Sequence, residues 1–114
     1  MNKIIITDGN IILFAKLNNS LSSSDFKNRL PCTLSGLNED DRYCFPVAKG
    51  RYDPMDYSTQ LKKGFLTLEQ GFFSIYMKNN LSKVPHIVIG QVEPESLPQL
   101  VHLPDRMNVY ICST

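Results

Sequence analysis

No window of this 114-residue sequence approaches the run of about 18 apolar residues that a membrane span requires, so a membrane is not expected as a partner. The apolar patch after Met1-Asn2-Lys3 is interrupted by Asp8, Gly9 and Asn10, too early for a signal-peptide core, which predicts a chain that stays where it is made. Cysteine is scarce: Cys32, Cys44 and Cys112 form an odd set with no Cys-x-x-Cys spacing, which fits a reducing cytoplasm better than a disulfide framework. His86 and His102 are the only histidines, and neither His-x-x-His nor paired Cys/His spacing occurs, so no metal is expected. Gly-x-Ser-x-Gly, Gly-x-Gly-x-x-Gly and the P-loop are all missing, which predicts no catalytic elbow and no cofactor. Twelve basic residues against eleven acidic ones leave +1, removing the electrostatic case for direct nucleic-acid binding. Repeats, low-complexity tracts and linkers are also lacking, which leaves a single domain over 1–114.

What is present is ordinary for a globular chain: 42% hydrophobic and 20% charged residues. Lys3–Thr7 and Ile11–Ala15 flank Asp8-Gly9-Asn10, a turn sequence that tolerates positive φ, and predict a β-hairpin. Ser24 is a candidate cap for a short helical turn over Asp25–Leu30 that Pro31 ends. Asp53 and Pro54 suggest a helix over 54–63. The organising stretch is 67–92. Thr67 and Gln70 have capping-box spacing, and Leu68, Phe72, Ile75 and Tyr76 follow the 3, 4 period of one helix face. That pattern predicts a principal helix over 68–81, ended by Val84-Pro85 and feeding a strand over 86–92. Glu93–Pro98 reads as an extended loop, Gln99–Leu103 as a short strand or helical turn, and Asn108–Cys112 as a final strand with Tyr110 and Cys112 on one face. The expected fold is therefore α+β. A mainly antiparallel sheet (3–7, 11–15, 32–35, 86–92, 108–113) would carry the 68–81 helix packed on one face.

Candidate functional residues concentrate in the irregular segment 38–57. Glu39, Asp40 and Asp41 form an acidic turn beside Arg42 and Tyr43, and Tyr and Arg are residue types that anchor interfaces. Arg51, Tyr52 and Asp53 pose the same choice. The plainer alternatives are a solvated loop at 39–43, an Arg51–Asp53 pair across a turn, and Tyr52 in the core. For the histidines the plain reading is structural, and for the cysteines it is small buried hydrophobes.

The early Met1-Asn2-Lys3-Ile4 opening, the missing signal sequence and the charged segment 38–57 together give a chain that resembles the small immunity proteins of bacterial contact-dependent growth inhibition and related polymorphic toxin systems. The resemblance implies a cytoplasmic protein that is not an enzyme. It would neutralise one cognate protein toxin, often a nuclease, by covering its active site. With a net charge near zero, the acidic turn would supply complementarity locally. Two other classes stand beside it: a small hydrolase or nuclease-like enzyme using His86 or His102 with a nearby carboxylate or cysteine, and a structural subunit whose 3–15 hairpin completes a larger sheet.

Overall fold

Alternation of apolar and polar residues with a period of two runs through most of the chain, and it is this period that the backbone obeys. A computed structural model describes residues 2–50, 57–69 and 71–114. Lys3–Thr7 (β1) and Ile12–Leu17 (β2) form the expected hairpin, with Ile4 opposite Ala15 and Ile6 opposite Leu13 on the buried face. Its turn is held by the Asp8 carboxylate, which accepts from the amides of Asn10 and Ile11 at 2.9 and 2.8 Å, while Gly9 takes φ +97°. A short helix, Leu21–Lys27 (α1), follows; Ser20 rather than Ser24 caps it, accepting from the Ser23 amide.

Six of the remaining strands complete a closed wall. They are Cys32–Asn38 (β3), Arg42–Pro46 (β4), Phe65–Glu69 (β6), Phe72–Tyr76 (β7), Asn80–Val92 (β8) and Arg106–Ser113 (β9). The neighbour order is β2-β1-β9-β3-β4-β7-β6-β8, and β8 returns to β2 through Ala15–Val92, Lys16–Gln91 and Leu17–Gly90. The result is an eight-stranded antiparallel barrel. Tyr57–Leu61 (β5) adds a ninth strand outside the ring, paired to the first half of β8.

The α+β expectation is thus overturned. No principal helix occupies 68–81; β6, β7 and the start of β8 do. Leu66, Leu68, Phe73 and Ile75 are fully buried and point inward, whereas Thr67 and Ser74 between them face the outer side. The spacing 68, 72, 75, 76 satisfied a helical template by coincidence, and in the barrel Phe72 is 43% exposed. Gly71 at φ +85° turns β6 into β7, and the run Phe72–Tyr76 is aromatic and β-branched, which favours a pleated surface. Thr67 therefore caps nothing, and Gln70, with the Asp53-capped start of the proposed 54–63 helix, lies outside the described residues. The described remainder of that helix is strand β5. Of the segment expected to be irregular over 38–57, residues 38–46 are the end of β3, a tight turn and β4, while 47–50 are irregular and 51–56 lie outside the described residues. The extended loop expected at 93–98 is part of a 3-10 helix, Pro94–His102.

The interior is aromatic at its centre. Phe26 from α1 stacks on Phe73 with centroids 4.7 Å apart, and Tyr43, Phe45 and Phe73 continue the row at 5.2 and 5.8 Å. The 3-10 helix adds Leu100 to this core and Leu103 follows at its end, and the helix's Ser96 hydroxyl accepts from the Phe14 amide at 3.0 Å.

Candidate functional site

β3 and β4 hydrogen-bond at two residue pairs only, Leu37–Cys44 and Asn38–Tyr43, and then part. Inside the barrel the Phe45 ring occupies the space beside Gly36 that a side chain there would need. On the outer face the gap opens into a cavity of about 540 Å³, walled by Leu37, Pro46, Phe72 and Met107 with Cys44 among its lining. Glu39 and Arg106 border it with opposite charges, and a Ser35–Asn108 hydrogen bond of 2.6 Å stiffens the β3–β9 wall.

A chain of polar side chains leads away from this groove across β4, β7 and β6 to β8, on the outer face of the wall. The Cys44 thiol donates to Glu39 Oε1 at 2.9 Å and lies 3.6 Å from Ser74 Oγ. Arg42 Nε is 3.8 Å from the same Glu39 oxygen, and Arg42 Nη1 is 3.8 Å from Glu69 Oε1. Glu69 in turn accepts from His86 Nδ1, and His86 Nε2 lies 2.9 Å from Ser82 Oγ. Tyr76 closes the strip edge-on to the His86 ring at 6.1 Å. The Arg42 pairs are part-exposed and long, so each stabilises the fold by less than about 1 kcal/mol; their effect is to orient Glu39 and Glu69.

Burial sets the protonation of this strip. Removal from water pushes the Cys44 thiol up to about 11, and its hydrogen bond to the Glu39 carboxylate acts in the same direction. Cys44 is therefore a neutral donor, not a nucleophile. Tyr76 is raised for the same first reason, with the Glu69 charge adding to it.

The residues singled out from sequence divide sharply. Glu39, Asp40 and Asp41 form the β3–β4 turn, with Asp40 at φ +66° and its amide bonded to Asn38 Oδ1 at 2.9 Å. Glu39 and Arg42 reach the groove and the polar strip. Tyr43 does not: it is fully buried inside the barrel, its hydroxyl donates to the Pro104 carbonyl at 2.9 Å, and burial pushes its phenol up to about 12. As a surface anchor it is excluded by its inward register on β4. Arg51, Tyr52 and Asp53 lie outside the described residues. Among the histidines, His86 meets a carboxylate, while His102 is exposed on the 3-10 helix. Glu69 and Ser82 were missed because a helix over 68–81 scatters them. The period-two alternation of Leu66, Leu68, Phe73 and Ile75 was the signal that places Glu69 outward.

Among the described residues, no group of three or more His, Cys, Asp or Glu side chains is placed to hold a metal, and no helix is long and apolar enough to cross a membrane.

No family model and no curated protein matches this sequence. Solved structures do. McbB, solved in complex with tryptophan, superposes with a TM-score of 0.76 at 15% identity, over 97% of this chain and 44% of McbB. The solution structure of the hypothetical protein AF2241 from Archaeoglobus fulgidus gives 0.71 at 12% identity, over 98% of this chain and 94% of that one. This chain thus spans less than half the length of McbB and nearly all of AF2241. At such identities the likeness is one of fold.

Proposed function

We propose that this protein acts by binding a protein partner through the β3–β4 groove and the acidic turn at its end. Its most concrete form is the one its sequence resembles, an immunity protein that neutralises a cognate toxin in the cytoplasm. The observation that carries the reading is an apolar groove with Leu37 (48% exposed) and Phe72 (43% exposed) at its walls, continuous with the Glu39–Asp41 turn. Apolar centre and charged rim are the anatomy of a recognition surface. Each is already about half-buried, so covering the rest of Leu37 and Phe72 is worth roughly 0.7–1.5 kcal/mol apiece, and the two together anchor the surface. The three carboxylates favour a basic partner surface that inserts an apolar side chain into the groove. The three free cysteines agree with a reducing compartment.

The test is capture of the tagged chain's partner from its native source, followed by quantitative binding. One stoichiometric partner is expected. Leu37→Ser with Phe72→Ser should weaken binding by roughly 10- to 100-fold. Replacing Glu39, Asp40 and Asp41 by Ala should slow association and flatten its salt dependence. A stoichiometric partner held equally well by all these variants would refute this surface, and no stoichiometric partner at all would refute the function.

A further inference from the structure

At the far end of the polar strip, Ser82, His86 and Glu69 are joined in series, and with a neutral imidazole the hydrogen-bond roles have one consistent assignment. The Glu69 carboxylate is an acceptor, so His86 Nδ1 carries the proton between them. His86 Nε2 is then an unprotonated lone pair, and the Ser82 hydroxyl 2.9 Å away donates to it. A nucleophile, a base and a residue orienting the base thus stand in the order that acyl-transfer centres use. The fold makes a specific provision for Ser82. β5 pairs with β8 at Ser58–His86 and again at Gln60–Leu81, so four β8 residues, 82–85, stand opposite Thr59 alone. Such bulges re-aim side chains out of a ladder. This one folds Ser82 back toward the ring of His86, and the Val84 amide steadies its oxygen at 3.2 Å. The neighbours of Ser82 include two apolar side chains open to solvent, Leu81 (77% exposed) and Val84 (59% exposed). Structural need does not account for the set, because Glu69 and Ser82 are part-exposed and water would satisfy them.

We propose that Ser82 is the nucleophile of a hydrolytic centre for carboxylic esters with short apolar acyl groups, with His86 as general base and Glu69 as the positioning residue. Ser82 Oγ attacks the acyl carbon as its proton passes to His86 Nε2. The bond to the alcohol oxygen breaks, and the departing alcohol takes that proton, leaving acyl-Ser82. Water then attacks the acyl carbon, His86 accepts one of its protons and returns it to Ser82 Oγ, and the carboxylic acid is released. Leu81 and Val84 seat the acyl chain.

The experiment is rapid mixing of the full chain with p-nitrophenyl acetate, with mass spectrometry of the trapped intermediate. The expected result is a burst of one p-nitrophenolate per chain and an acetyl group on the peptide holding Ser82. Ser82→Ala should abolish that burst while its melting temperature stays within about 2 °C of the parent, since the substitution is small and part-exposed. Glu69→Gln should slow acylation roughly 10²-fold or more with the burst amplitude retained, and Glu69→Asp should restore part of the rate, a recovery that a merely structural role would not show. No burst, acetylation of a lysine or of His86 in place of Ser82, or full activity in Ser82→Ala would each overturn the proposal.

Discussion

The barrel closes at one seam, and Gly90 is where that closure is most sensitive. β2 and β8 are registered over only three pairs there, and an added Cβ at Gly90 would collide with the Lys16 carbonyl oxygen and lie 2.9 Å from Leu17 Cα. Both obstacles are backbone, so no rotamer change relieves them. Gly90→Ala therefore has two opposing terms. Restricting the unfolded chain favours alanine by about 0.4–1 kcal/mol. Forcing atoms into a close-packed contact costs typically 1–3 kcal/mol, and the upper half applies because the ladder itself must shift. The balance is a destabilisation of about 1–2.6 kcal/mol, or a melting temperature lowered by roughly 4–15 °C for a chain of this size. Thermal unfolding followed by circular dichroism measures it. Hydrogen exchange supplies the local readout: the Asn18 amide, bonded to the Ile89 carbonyl at 2.7 Å, should lose protection before the amides of the β3–β9 pair. A variant as stable as the parent, with Asn18 equally protected, would mean that the two strands are not in close contact and that the barrel is open at this seam.

Two further outcomes follow from buried polar groups. Thr67 is fully buried on the outer face of β6 and its hydroxyl has no hydrogen-bond partner among the described residues, so Thr67→Val should stabilise the fold by about 1 kcal/mol in urea unfolding, and a loss of stability would count against the assignment. Cys44 and Tyr43 have folded values raised by burial to about 11 and about 12, from 9.0 and 10.0. For acids whose folded value is raised, the stability they confer is complete below the unfolded value and is lost as pH rises through the folded one. Unfolding midpoints should therefore be insensitive to these groups up to about pH 9 and fall steeply between about pH 9 and 12. At pH 8 the Cys44 thiol should alkylate far more slowly than a free thiol, and rapid labelling would contradict its burial.

Some of the barrel was legible because the signals were local. Asp8-Gly9-Asn10 between two β-branched runs specifies a tight turn whatever surrounds it, and the hairpin of β1 and β2 is as expected. The β9 alternation, with Val109 and Ile111 inward and Tyr110 and Cys112 outward, is likewise a property of the strand alone. The helix expected over 68–81 failed because short apolar runs such as Phe72-Phe73 and Ile75-Tyr76-Met77 fit both periods. Gly71, tolerable in a helix at a cost of about 1 kcal/mol, and the period-two alternation of Leu66, Leu68, Phe73 and Ile75 argued the other way. Reading it as a helix hid Glu69 from His86 and turned Phe72 from a surface residue into a core one.

Composition and short-range chemistry alone therefore determined a hairpin over the first strands, an acidic turn at 39–41, and a sequence without a metal motif or a membrane-length apolar run. Each of these depends on residues within a few positions of one another. Closure of the ring, the groove between β3 and β4, the burial of Tyr43 and the Ser82–His86–Glu69 series were decided by the tertiary structure. Their partners are brought together by strand pairing and register across distant segments, and shifting any one strand by a single residue would exchange its inward and outward faces.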